Sequence, residues 1–215
     1  LAVCLRESNP TRRPGDDPEN EMTPETLLDS LVDEFPNVPE YQHALAVTWS
    51  RVNTFRLQSR SLEPVLMEDC LTRARDYADA LVADYPTVPA YTSTLIHIHG
   101  RLSHVQEQIA RDFAAPAERT SVLRESERNL REAIDLQQSL VRRMPDALAW
   151  RLWLARFQQR LGQSLREQYR DKESRDVLRE AIRQLEASAS ANDLQDAAIA
   201  QLVTLYLDLA RTCDA

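Results

Sequence analysis

One short phrase is written three times along this chain of 215 residues. It is a Leu-Val pair, an aromatic residue or Met three positions after the Val, a Pro, and an aromatic residue five positions beyond the Pro. The copies are Leu31, Val32, Phe35, Pro36 and Tyr41; Leu81, Val82, Tyr85, Pro86 and Tyr91; and Leu140, Val141, Met144, Pro145 and Trp150. Their prolines stand 50 and 59 residues apart. Recurrence at such a spacing means one supersecondary unit copied in tandem, so the chain is an array of units and not a globule wrapped around a single active site.

Between the prolines, apolar residues recur at helical spacing. Tyr41, Leu45, Trp49 and Val52 step by four and three onto one stripe of a helix. Tyr91, Leu95, His99 and Leu102 form the second stripe, and Trp150, Leu154, Gln158 and Leu161 the third. The scarcity of glycine points the same way. With only Gly15, Gly100 and Gly162, the chain lacks the residue that tight β-hairpins need at positive φ. Ala, Leu, Arg, Glu and Gln, all good helix formers, are abundant.

The spacing predicts helix pairs at 39–59 with 64–85, 89–114 with 117–144, and 147–170 with 173–189. Pro64 and Pro116 suit first helical turns. A last helix over 194–213, with Asn192 or Asp193 as N-cap, is expected to close the array. Residues 24–35 form the second helix of an earlier, partial unit. Leu1-Ala2-Val3 with Asn9 lines up on Leu45-Ala46-Val47 with Asn53, so 1–9 read as the back half of a helix and 10–22 as a mobile Pro-rich acidic loop. Leu1–Leu5 also read as the end of an upstream membrane helix; a lipoprotein reading of Cys4 is weaker. The expected organisation is 1–23 as repeat end and loop, 24–190 as helical repeats, and 191–215 as a C-terminal cap. A chain that opens at Leu1 is expected to be a piece of a longer protein.

A net charge of −8 repels nucleic acid and anionic membranes. No apolar run is long enough to span a bilayer. Cys4, Cys70 and Cys213 are isolated, with no CxxC. Lys172 is the sole lysine, so positive charge is carried by Arg. The compartment stays open between the cytoplasm and the outer side of a membrane.

Proline ending one helix, an aromatic opening the next and Leu-Ala four residues later is similar to the tetratricopeptide repeat (TPR). Leu45-Ala46 and Leu154-Ala155 fit that pair, Leu95-Ile96 departs from it, and Ala74 and Ala133 sit at the small position twelve before the proline. The long spacing resembles the variant found in large bacterial signalling proteins, beside a Ser/Thr kinase domain or a membrane-bound transcription regulator. The resemblance implies an all-α, right-handed solenoid of antiparallel helix pairs whose first helices line a concave, peptide-binding groove. By position, Glu40, His43, Val47 and Arg51 face that groove in the first copy, Ala90, Ser93, His97 and Arg101 in the second, and Ala149, Leu152, Arg156 and Arg160 in the third. The candidate partner-binding residues are therefore Arg51, Arg101, Arg160, His43, His97 and Arg156. The arginine column can equally serve as inter-helix ion pairs.

His97, His99 and His104 share a helix but lack a carboxylate or thiol at zinc-site spacing. No phosphate loop, serine elbow or HExxH occurs, so no catalytic residue, metal or cofactor is expected. The expected function is non-catalytic: a protein- or peptide-binding module of a larger bacterial signalling protein, taking a partner, acidic by the arginine column, in that groove. A ligand-sensing or oligomerisation domain that regulates an attached kinase or transcription regulator is the alternative.

Overall fold

A computed structural model describes residues 24–51, 63–145, 147–189 and 196–212. Within them lie eight helices: α1 Pro24–Glu34, α2 Pro39–Arg51, α3 Glu63–Asp84, α4 Pro89–Asp112, α5 Pro116–Arg143, α6 Leu148–Glu167, α7 Asp171–Ala189 and α8 Asp196–Arg211. The fold is all-α, as the proline phrase predicts, and the helix ends fall within three residues of the expected ones wherever they are described. The expectations for residues 1–23, for Val52 and the end of the first long helix, and for the cap at Asn192 or Asp193 lie outside the described residues.

Proline does its work through one recurring turn. Phe35 N–H closes α1 on Leu31 O at 2.9 Å, and Val38 N–H reaches back over Pro36 to Phe35 O at 3.1 Å. The second copy repeats both bonds, Tyr85 to Leu81 at 2.9 Å and Val88 to Tyr85 at 3.1 Å. The third does so with Met144 to Leu140 at 2.9 Å and Ala147 to Met144 at 3.2 Å. Pro sits at the second position of each turn, where its fixed φ suits the geometry and its missing N–H costs nothing. The two aromatics of the phrase then meet edge to face, Phe35 with Tyr41 at 6.1 Å and Tyr85 with Tyr91 at 6.0 Å. Four helices also begin on Pro, at Pro24, Pro39, Pro89 and Pro116.

The chain divides between Ile98 and His99 into two compact units. In the first, α1 packs on α2 and α2 on α3. Leu45, Ala46, Leu71, Ala74, Ala78 and Leu81 are buried there. In the second, α5 packs on α6, α6 on α7, and α8 on both α6 and α7. Ala155, Leu178, Ala181, Ile182, Leu185, Ala198 and Leu205 form its buried cluster. The small positions Ala46, Ala74, Ala133 and Ala155 are all buried.

Two of the glycines serve close approach and not turns. A methyl group on Gly162 would stand 2.8 Å from Leu178 Cγ, where α6 meets α7. Ser174 Oγ donates to Gly162 O at 2.7 Å across the same contact. On Gly100 a methyl would meet Phe157 at 2.6 Å.

Candidate functional site

The residues expected to face a partner fall in both units. In the first, Arg51 is exposed at the described end of α2, and His97 is exposed on α4. His43 is half-buried and engaged: its Nε2 lies 2.8 Å from Thr94 Oγ1 and its ring 4.9 Å from that of Tyr91. Burial holds the His43 imidazole below its ordinary pKa, so it binds its neighbours as the neutral base.

In the second unit, α4 and α6 bring several cations together. Arg160 donates from Nη1 to Gly100 O at 2.9 Å and from Nη2 to Ser103 Oγ at 3.3 Å. It also pairs with Glu107 at 3.6 Å. Beneath it Ser103 and Ser126 share a hydrogen bond of 3.0 Å, and Ser126 donates to Glu107 at 3.3 Å. Arg160 is thus an inter-helix tie whose side chain keeps 31% of its exposure. His104, a turn further along α4 from Gly100, stands in the field of Arg160, Arg111 and Arg101, with Glu107 the opposing carboxylate. Partial desolvation first, then those arginines, hold its pKa below the ordinary value although the residue is solvent-accessible. Arg101 is half-buried, and desolvation lowers its pKa too. One turn before Arg160, Arg156 lies over the exposed Trp153 ring at 5.0 Å.

The sequence reading named Arg101, Arg156 and Arg160 as partner-facing and His104 only as a histidine without zinc-site neighbours; it did not single out Arg111 or Trp153. Trp153 could have been found: it lies one helical turn before Arg156 and off the apolar stripe. His104 carried no such signal, because its setting depends on α6, a helix far along the chain.

The stripe position thirteen past each proline is also polar in function. Arg73 lies over the Trp49 ring at 5.6 Å, and Trp49 hydrogen-bonds Asp29. Burial raises the Asp29 carboxyl, and Arg73 works against it. Buried His99 donates from Nδ1 to Asn129 Oδ1 at 2.8 Å, and Asn129 Nδ2 donates in turn to Gln106 Oε1 at 2.9 Å. Gln158 Nε2 donates to Gln184 Oε1 at 3.2 Å.

Among the described residues, no three His, Cys, Asp or Glu gather to hold a metal, and no helix is long and apolar enough to cross a membrane. No family model and no curated protein matches the chain. Among solved structures it is similar to the crystal structure of a thermophilic TPR protein of Thermus thermophilus. That likeness has 16% identity, covers 89% of each chain and has a TM-score of 0.35.

Proposed function

We propose that this chain is a non-catalytic protein- or peptide-binding helical-repeat module, and that its second unit takes an acidic partner segment on the α4–α6 surface. The observation that carries this is the cation cluster around His104. Arg101, Arg111 and Arg160 act there on one imidazole, opposed by Glu107, on a chain whose net charge is −8. Guanidinium groups gathered on one face draw carboxylates and bind them in bidentate pairs. Arg156 on Trp153 extends the surface with a planar cation already ordered by its ring. Helices fix these side chains in a row, which suits recognition of a segment better than chemistry on a small substrate. Membership of a larger bacterial signalling protein rests on the sequence resemblance alone.

The second reading is a regulatory domain that self-associates. It is favoured by α8, where Ile199, Val203, Tyr206 and Leu207 are each about half exposed along one side.

The test is a fluorescence-anisotropy titration with a labelled Glu-rich peptide and its Gln-for-Glu counterpart. Binding of the acidic peptide alone, falling as salt rises, is expected. Equal binding of the two peptides, or none, contradicts the proposal.

A further inference from the structure

An open cleft of about 600 Å³ lies elsewhere in the second unit, among α5, α6 and α7. That volume is in the range of small-ligand sites. Its apolar floor includes Leu154, Ala155, Ala181 and Leu185, and its polar wall is a relay of three side chains. Gln184 Nε2 donates to Glu180 Oε1 at 2.6 Å, and Gln158 Nε2 donates to Gln184 Oε1 at 3.2 Å. The direction of this relay is forced. A carboxylate only accepts, so Gln184 turns its NH₂ to Glu180 and its oxygen to Gln158; Gln158 must then donate with its own NH₂. The relay therefore ends on Gln158 Oε1. That atom is buried, on a residue with 4% exposure, and has no hydrogen-bond partner among the described residues.

A buried acceptor left open is costly, and native interiors rarely tolerate one. The same position one copy earlier shows how it is usually met: His99 ends on Asn129, which continues to Gln106. In the third copy the relay stops beside a cleft. Two cations, Arg142 from α5 and Arg151 from α6, also line it, and neither forms an ion pair with a described residue. The cleft thus offers an acceptor that needs an N–H and two guanidinium groups that need an anion.

We infer that this cleft binds a carboxylate that carries a neighbouring amide N–H, the chemistry of a peptide C-terminus or an N-acyl amino acid. The carboxylate takes Arg142 and Arg151, and the amide N–H donates to Gln158 Oε1. The small apolar floor leaves room for a modest aliphatic side chain. This site is separate from the α4–α6 surface proposed above and does not depend on it.

The test is calorimetric titration of the 215-residue chain with N-acetyl-alanyl-alanine and with the same compound amidated at its C-terminus. The carboxylate form should bind, and the amide form should bind at least about tenfold more weakly, the scale of losing a charge-assisted pair. Arg142→Gln with Arg151→Gln should cost a similar factor, as should Gln158→Leu, with helicity by circular dichroism unchanged in both. Gln158→Leu removes the open buried acceptor and also the donor to Gln184 Oε1, so its urea midpoint is measured alongside and binding is scored only on folded protein. If the dipeptide fails but an eight-residue peptide with the same free C-terminus binds, the source is a chain terminus; if both bind, free small ligands suffice. Equal binding of acid and amide, binding indifferent to the arginines, or no binding of either carboxylate overturns the inference.

Discussion

Tyr169 stands at φ 60° with 91% of its surface exposed, in the turn that ends α6. Its N–H bonds Arg166 O at 2.9 Å, and Arg170 N–H bonds Leu165 O at 2.9 Å, the pattern of a Schellman cap in which glycine is usual. A side chain there works against the left-handed backbone and buries nothing, so Tyr169→Gly should stabilise the chain by about 0.5–1 kcal/mol in urea unfolding. Gly162 predicts the opposite sign. Gly162→Ala gains helix propensity but drives a methyl into Leu178, so a net loss of about 1 kcal/mol is expected, and on a Leu178→Ala background, itself less stable, the same change should cost less. His43 and His104 set a pH dependence. Their folded pKa values lie below the ordinary 6.5, so the unfolded chain takes up protons first as pH falls. The stability present above pH 6.5 is then lost as acid carries the pH down through the folded values. A denaturation midpoint measured from pH 7.5 to about 5 should fall, and His104→Asn should flatten the fall.

Between elements, the heaviest polar tie joins α5 to the turn before α7. Glu127 accepts from Arg131 and Arg170, while Arg170 also holds Glu173. Burial pushes Glu127 up, but the hydrogen bonds from Arg170 and Arg131 outweigh it and leave its pKa below 4.5. Its contribution is therefore complete above pH 4.5 and is lost as pH falls through the folded value. Glu127→Ala leaves Arg131 and Arg170 with Glu173 as their remaining carboxylate and should cost about 1–2 kcal/mol at pH 7, a loss read in urea unfolding that shrinks below pH 4. At this scale the sequence was most legible. Pro36, Pro86 and Pro145 fixed a turn, a helix start and a register, all through local hydrogen bonds within a few residues. What it hid depends on pairs far apart. Arg160 meets Gly100 and Glu107 from another helix, and the Gln158 relay needs α7, so neither leaves a trace in local spacing. The scarcity of glycine was read through turns; Gly100 and Gly162 show that it also marks helix contacts too close for a methyl group.

For the molecule as a whole, charge decides what kind of partner fits. A net charge of −8 disfavours acidic partners everywhere except where cations converge, and the described convergence is on α4 and α6 of the second unit. The apolar side of α8 is a different kind of surface, unlike the polar outer face that capping elements of repeat arrays present. Val203→Glu with Leu207→Glu should lower any self-association seen by sedimentation while leaving acidic-peptide binding unchanged. The central claim, an acidic segment held on the α4–α6 surface, is tested most directly by amide chemical-shift mapping with the Glu-rich peptide at saturation. The account predicts shifts concentrated at Arg101, His104, Arg111, Trp153, Arg156 and Arg160. Shifts confined to α8, spread evenly over the chain or absent would contradict it.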